Sequence, residues 1–150
     1  MAYFPMFINI ENKKAYVIGG GRVALRKAEV LMKFGADVTV IAKEIKYRFD
    51  CRVIEDIYRE EYIKDAFIVV AATDDRNVNK EISRYCRENG IYVNIADSRD
   101  ESTFIFGANA VDDNIVISVS TSGEDPSLAK KIRDDIQVYY DRDKNRNKKK

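Results

Sequence analysis

Short runs of apolar, β-branched residues alternate with segments of helical periodicity over the first 96 residues. The strand-like runs are residues 15–20, 36–42, 66–73 and 91–96. Between them, apolar residues recur on one helical face, as Ala24, Ala28 and Leu31 do after the first run. Because parallel neighbouring strands need crossover helices, this alternation predicts a doubly wound parallel α/β sheet.

The pattern is weaker between residues 43 and 66. Residues 51–55 predict a short strand and residues 59–66 a short helix. The run at residues 66–73 is continuously apolar, which is typical of a central strand that is covered on both faces. The expected order over this part of the chain is therefore β-α-β-β-α-β-α-β.

The alternation changes in the last third of the chain. Residues 103–111 and 114–121 are strand-like and are separated by Asp112 and Asp113. The short acidic spacer predicts a hairpin, or two strands of a separate antiparallel piece. Asp125 then suits the N-cap of a final helix. Its apolar positions recur every four residues, at Leu128, Ile132 and Ile136.

These patterns divide the chain into three segments. They are a parallel-sheet domain over residues 1–97, a small α+β strand–helix segment over 98–140, and a basic tail over 141–150. The formal net charge is +1, although residues 144–150 carry five basic and no acidic side chains. A charge run of this kind cannot form a core, so we expect a disordered tail. Contact of the tail with nucleic acid or a membrane is the alternative, and no other feature of the sequence supports it.

The composition excludes several kinds of chemistry. The chain contains no His, which removes Ser-His-Asp triads, His bases and His-built zinc sites. Cys51 and Cys86 have no ligand-like or disulfide-like spacing and are expected to be free thiols in a cytoplasmic protein. No apolar stretch is long enough to cross a membrane and no signal peptide is expected. Proton chemistry therefore falls to Asp, Glu, Lys or Tyr.

The stretch VIGGGRVALRKAEV places three glycines between the first strand and the first helix. Gly19, Gly21 and Ala24 satisfy the pattern G-x-G-x-x-A in the context that a Rossmann-type dinucleotide site requires. Gly19 would permit the tight turn, Gly21 the approach of a pyrophosphate, and Ala24 close packing of helix on strand. A purely structural turn is the alternative interpretation.

The tip of the second strand is expected to carry an acid for the ribose hydroxyls. In this chain the strand ends at Ala42, and Lys43 and Glu44 follow. Glu44 could bind the ribose, whereas Lys43 could pair with a 2′-phosphate. These residues alone therefore leave NAD and NADP open.

Polar residues also follow three other predicted strands or loops. Thr73 and Asp74 come after the central strand and would face the cofactor, or would cap the next helix. Asp97 comes after the fifth strand and is a candidate general base, or a turn residue. The loop at residues 120–126 would bind an anion, or would only cap the last helix.

The chain resembles the precorrin-2 dehydrogenase / sirohydrochlorin ferrochelatase family, the N-terminal module of siroheme synthases. The resemblance is carried by five motifs in order, YFPMFINIENKKAYVIGGGRVALRKAEVLMKFGADVTVIA, FIVVAATDDRNVN, VNIADS, TFIFGANAV and VSTSGEDPSLAKKI. It covers roughly residues 3–133. It implies NAD-dependent oxidation of precorrin-2 to sirohydrochlorin, a step in siroheme biosynthesis, and in some members insertion of Fe²⁺.

The resemblance also implies site residues. The cofactor-binding set is Gly19, Gly20, Gly21, Arg22, Val23, Ala24, Lys43, Glu44, Thr73 and Asp74. Asp97 takes the place of the family's key aspartate, for dehydrogenation and for metal insertion. A homodimer is implied, with residues 98–140 as the dimerisation and substrate segment. No resident metal is expected, although Fe²⁺ could bind transiently.

Two departures from the family pattern are visible. Gly107 stands where relatives commonly have Pro, and the chain stops soon after its last predicted helix, which leaves the chelatase activity open. The alternative hypothesis from another class is an NAD-sensing regulatory module without catalysis. Such a module would have no role for Asp97 and would usually keep an acid at the tip of the second strand.

Overall fold

Five of the strand-like runs form one sheet in the computed structural model, which describes residues 3–112 and 115–147. The strands are β1 (Lys14–Ile18), β2 (Asp37–Ala42), β3 (Arg52–Glu55), β4 (Ile68–Ala71), β5 (Tyr92–Ile95), β6 (Ala108–Asp112) and β7 (Ile115–Val119). The helices are α1 (Arg22–Lys33), α2 (Arg76–Glu88) and α3 (Pro126–Asn147), with a 3-10 helix at Glu60–Ile63.

The order of the five-stranded sheet is β3-β2-β1-β4-β5, and every pair is parallel. Val17 in the central strand lies beside Val40 of β2 and Val70 of β4. The chain therefore leaves β1 on one side through β2 and β3, and returns to its other side at β4. This confirms the predicted doubly wound sheet and places its switch point between β1 and β4, where such sheets bind ligands.

The core lies between this sheet and its helices. All four residues of β4 are buried, as the continuous apolar run predicted. The buried residues of α1 are Ala24, Ala28 and Leu31, the three that share one face in the sequence pattern. On α2, Ile82 and Cys86 are completely buried, and burial raises the pKa of the Cys86 thiol to about 12.

Residues 5–104 form one compact unit, and the described residues from 105 onward form another together with residues 3 and 4. The first unit reaches beyond the predicted end at residue 97 because the following loop is bonded to β5. The Ser102 hydroxyl accepts a hydrogen bond from the Ile95 N–H at 2.8 Å, and the Thr103 hydroxyl accepts one from the Val93 N–H at 2.8 Å. These bonds also explain why the predicted strand over 103–111 begins only at Ala108.

The second unit is an antiparallel β6–β7 hairpin with α3 packed on it. The predicted hairpin is confirmed, although residue 113 of its acidic spacer and residue 114, the start of the second predicted strand, lie outside the described residues. Arg133 Nη1 on α3 donates to the carbonyl of Asn109 on β6 at 2.9 Å. Over the described part of the chain, no helix is both long and apolar enough to span a membrane.

The prediction of a disordered tail from residue 141 is wrong for residues 141–147, which continue α3. Side-chain contacts support this extension. Gln137 Nε2 donates to Asp141 Oδ1 one turn later at 2.9 Å, and Lys144 pairs with Asp112 of β6. Residues 148–150, the last of the basic run, lie outside the described residues.

Replacing Ile82 by Ala should lower the free energy of unfolding by about 2–5 kcal/mol, because the side chain is completely buried and its loss leaves a cavity. Val53→Ala on the edge strand β3, where the side chain is 36% exposed, should cost less than about 1 kcal/mol. Denaturant titration of both variants measures the difference. Equal losses would contradict the assignment of Ile82 to the core.

Candidate functional site

A cleft of about 430 Å³ opens at the carboxyl ends of β1, β2, β3 and β4, within the first unit. This volume is in the range of ligand-binding pockets. The lining residues include the three glycines after β1, the ends of β2 and β3, and the loop after β4. They are Ile18, Gly19, Gly20, Gly21, Ile41, Ala42, Lys43, Glu44, Lys46, Asp56, Ile57, Tyr58, Ala72, Thr73, Asp74, Asp75 and Val78.

Two of the three glycines are required by close backbone packing. Gly19 has a φ of +132°, and a Cβ there would collide with the carbonyl of Ala72 after β4. A Cβ at Gly20 would collide with the carbonyl of Glu44 after β2. The glycine loop is thus held between the ends of both neighbouring strands.

Gly21 is different, because a Cβ at this position would meet no protein atom within 4 Å. The absence of a side chain is therefore not explained by packing within the protein. An open approach to the backbone, directly before α1, is what a pyrophosphate needs. The lining of the cleft thus fits a dinucleotide at the position where the sequence predicted one.

The start of α1 supports the same interpretation. Gly21 is the N-cap and provides no side-chain hydrogen bond, and the first turn contains no acidic residue. By contrast, Asp75 caps α2 and Asp125 Oδ1 accepts from the Leu128 N–H of α3 at 2.8 Å. The first N–H groups of α1 therefore remain available to an anion, whose charge the helix dipole stabilises.

Charged residues line the cleft after β2. The side chain of Glu44 is 74% exposed, and its carboxylate lies 3.9 Å from Lys46 Nζ. The N–H of Lys46 donates to the carbonyl of Gly20 at 3.1 Å, which holds this segment against the glycine loop. The predicted residues Lys43 and Glu44 do lie in the cleft, and Lys46 joins them without having been predicted.

The end of β3 provides a further wall that the sequence pattern did not predict. Asp56, Ile57 and Tyr58 line the cleft there. A hydrogen bond from the Tyr62 hydroxyl, followed by one from the Ile57 N–H, lowers the pKa of Asp56. Burial raises the pKa of Tyr58. The weak periodicity between residues 43 and 66 gave no signal for these positions.

The loop after β4 is organised by hydrogen bonds between its own residues and α2. Thr73 and Asp74 line the cleft as predicted, but Asp75 is the residue that caps α2. The Thr73 hydroxyl donates to Asn79 Oδ1 at 2.7 Å, and Asn79 Nδ2 donates to the Thr73 carbonyl at 3.1 Å. Thr73 is therefore fixed by a buried side chain of the helix.

Asp97 does not line the cleft, but it is connected to the cleft through Asn79. Asn79 Nδ2 donates to Asp97 Oδ1 at 3.2 Å, and Arg76 Nε lies 3.8 Å from Asp97 Oδ2. Arg76 also pairs with Glu101, whose hydrogen bond raises the pKa of the guanidinium. The side chain of Asp97 remains 43% exposed, so that a second molecule can reach the carboxylate.

The other sequence candidates lie elsewhere. Arg22 and Val23 are exposed at the start of α1, and Ala24 is completely buried; none of them lines the cleft. Ala24 occupies the position that close packing of helix on strand requires. The loop at residues 120–126 belongs to the second unit, where Asp125 caps α3. Its anion-binding role and the cofactor contacts of Arg22, Val23 and Ala24 stay predictions.

Strand order, the glycine loop and the cleft define a dinucleotide-binding domain of the Rossmann type. Residues 6–108 match the sequence model of an NAD(P)-binding family, NAD_binding_7. This match covers more than half of the chain, and the chain belongs to that family. A nicotinamide dinucleotide is therefore its cofactor class.

Several known proteins with similar sequences are named as enzymes of siroheme biosynthesis. The chain is 37% identical over 142 residues to the multifunctional siroheme biosynthesis protein HemA of Ruminiclostridium josui, covering 89% of this chain and 28% of that protein. It is 39% identical over 140 residues to the siroheme synthase of Ruthia magnifica, covering 89% and 30%. The chain thus spans less than a third of the length of these relatives.

Among solved structures, the chain is similar to SirC, a precorrin-2 dehydrogenase. The TM-score is 0.75 with 25% sequence identity, and the alignment covers 92% of this chain and 71% of that one. The likeness therefore extends over both compact units.

Replacing Gly21 by Ala should weaken binding of NAD or NADH at least ~10-fold, a loss of about 1.4 kcal/mol, without lowering the melting temperature. The added methyl group meets no protein atom but blocks the approach of a pyrophosphate. Isothermal titration calorimetry and thermal unfolding measure the two effects.

Gly20→Ala is the matched control, and it should lower the melting temperature because its methyl group collides with the Glu44 carbonyl. Undiminished binding by Gly21→Ala would show that the glycine loop is only a structural turn.

Proposed function

We propose that this protein catalyses the NAD-dependent oxidation of precorrin-2 to sirohydrochlorin. The observation that carries the proposal is the placement of Asp97. This half-exposed carboxylate lies after β5, next to the strand whose loop lines the dinucleotide cleft, and is hydrogen-bonded to that loop through Asn79. The similarity to siroheme synthases and to a precorrin-2 dehydrogenase supports the choice of substrate.

The reaction removes one hydride and one proton from the substrate. The bound nicotinamide supplies the acceptor for the hydride. The proton needs a base, and a chain without His must use another side chain. The carboxylate of Asp97 is accessible to a bulky substrate and is held by Asn79 and Arg76, so we assign it this role.

The cofactor contacts follow from the cleft. We assign the pyrophosphate to the backbone of Gly19, Gly20 and Gly21, before the uncapped start of α1. We assign the ribose of the adenosine to Glu44, whose carboxylate lines the cleft and would repel a 2′-phosphate. Lys46 already lies near that carboxylate, which reduces its availability for a phosphate. The proposal is therefore NAD rather than NADP.

Insertion of Fe²⁺ into the product is a second candidate activity, and the exposure of Asp97 is the observation that favours it. A carboxylate that can take a proton from the substrate can also take one from a pyrrole nitrogen. In residues 3–112 and 115–147, no group of three or more His, Cys, Asp or Glu side chains could hold a metal ion. In this second activity, iron would be a substrate.

Replacing Asp97 by Ala should lower kcat for precorrin-2 oxidation at least ~10²-fold, because the proton acceptor is lost. The assay is anaerobic incubation of precorrin-2 with NAD, following sirohydrochlorin and NADH by absorbance, with NADP as the parallel acceptor. Asp100→Ala is the control, since this neighbouring carboxylate is 80% exposed and lies 3.9 Å from Arg99 Nε, whereas Asp97 is held by Asn79 and Arg76. Turnover near the wild-type rate is expected for it.

Binding of NAD without any turnover by the wild type would instead favour a regulatory module. Full activity of Asp97→Ala would remove this residue from the mechanism. Adding Fe²⁺ to sirohydrochlorin in the same series tests metal insertion separately.

We also propose that the protein is a homodimer that uses α3. Ala129 of this helix is buried, whereas Leu128, Ile132 and Ile136 form a row with exposed fractions of 45%, 37% and 41%. A row of three large apolar side chains on one face is typical of an interface between subunits. The resemblance to a dimeric family supports a second copy of the chain as the partner.

Replacing Ile132 by Asp should shift the protein from dimer to monomer, because a charge would be buried in the proposed interface. Light scattering after size-exclusion chromatography measures the mass. Lys131→Asp introduces the same side chain one position along the helix, outside the row, and should remain dimeric. A monomeric wild type would contradict the proposal.

A further inference from the structure

Asn79 is a completely buried polar residue on the first turns of α2. Its neighbours on the buried face of this helix include Ile82 and Cys86, which are also completely buried. Burying an amide costs free energy unless its hydrogen bonds are replaced within the protein. The position of these bonds therefore indicates what the amide does.

The side chain of Asn79 makes four hydrogen bonds, to two residues only among those described. Oδ1 accepts from the hydroxyl and the N–H of Thr73 at 2.7 and 3.3 Å. Nδ2 donates to the Thr73 carbonyl at 3.1 Å and to Asp97 Oδ1 at 3.2 Å. An ionised carboxylate can only accept, so the amide has to point its NH₂ group toward Asp97.

The three bonds to Thr73 satisfy most of the hydrogen-bonding groups of the Asn79 amide. They do not explain why the amide also donates to Asp97. The side chain of Asp97 is 43% exposed and could be solvated by water without this contact. The contact does, however, fix Oδ1, while Arg76 approaches Oδ2 from the same helix. Arg76 is itself held in place by its ion pair with Glu101.

We propose that Asn79 is a positioning residue that orients the Asp97 carboxylate and links it to Thr73 on the wall of the dinucleotide cleft. Through this amide, a shift of the cleft loop changes the position of the carboxylate that faces the substrate. The proposal rests on the role given above to Asp97 in the oxidation of precorrin-2.

Asn79→Asp is the test variant, because it keeps the size of the side chain and the acceptor for the Thr73 hydroxyl and N–H. It replaces the NH₂ group, which donates to the Thr73 carbonyl and to Asp97, by an oxygen that repels both acceptors. We expect kcat to fall about 10–100-fold, as for a displaced catalytic group, while the KM for NAD changes less than about 3-fold. We also expect the acidic limb of the pH profile of kcat to move to higher pH, since two adjacent carboxylates disfavour the doubly ionised state.

Ser83→Ala is the matched control from the next turn of the same helix. Ser83 is also buried, but its hydroxyl bonds the backbone carbonyl of Glu101 rather than Asp97. A purely structural role of buried polar groups on α2 predicts that both variants lose stability and keep the wild-type pH profile. Our proposal predicts a changed profile for Asn79→Asp alone.

A measurement that does not depend on turnover separates this proposal from the proposed function. The ¹³C resonance of the Asp97 side-chain carboxyl, followed against pH in the protein without cofactor, should titrate at a higher pH in Asn79→Asp than in the wild type. Thr73→Val removes the hydroxyl bonds to Asn79 and to the Asp75 backbone and keeps the two backbone bonds of Thr73 to Asn79. It should also displace this resonance, and it serves as the test if Asn79→Asp does not fold.

Absence of wild-type turnover would overturn the precorrin-2 assignment, whereas the resonance would still decide the role of Asn79. An Asp97 resonance that is the same in the wild type, Asn79→Asp and Thr73→Val, or a wild-type kcat and pH profile in Asn79→Asp, would overturn the positioning role.

Discussion

The close packing of backbone at the carboxyl end of β1 is the constraint on which the site depends. At Gly19 and Gly20 the chain lies so near the carbonyls of Ala72 and Glu44 that no side chain can be accommodated. Hydrogen bonds from Gly19 N–H to Ile41 at 2.9 Å and from Ala72 N–H to Ile18 at 2.8 Å extend the strand pairing into this region. The ends of β2 and β4 are thereby held on either side of one loop, and the cleft opens above it.

This constraint separates two tasks that a glycine-rich sequence does not distinguish. Gly19 and Gly20 are required by the folded chain itself, whereas the open space at Gly21 has a purpose only if another molecule approaches. The run of three glycines predicted the position of the cleft because both tasks require the same residue type. The sequence could not show which glycine has which task, since the colliding carbonyls come from residues 24 and 53 positions further along the chain.

Much of the parallel sheet was predictable for a related reason. Local patterns, such as the buried face of α1 and the apolar run of β4, depend on neighbours in sequence, and these elements form as expected. The predictions failed where hydrogen bonds or ion pairs between residues distant in sequence determine the structure. Residues 103 and 104 pair with β5 instead of beginning a strand, and α3 continues through a charged segment beside Asp112. The role of Asn79 could not be predicted, because the sequence does not show which residues an amide in a helix will bond.

The division between cofactor cleft and carboxylate also explains why the glycine loop alone could not specify a substrate. A dinucleotide-binding sheet brings its cofactor to the carboxyl ends of β1 and β4 whatever is oxidised there. What differs from one enzyme to another is the group that the next strand presents beside it. In this chain the group proposed for that place is Asp97, in a turn that Ser102 closes through bonds to Ile95 and Ser98. In the proposed function, the choice of substrate therefore depends on the residues after β5 and not on the glycine loop.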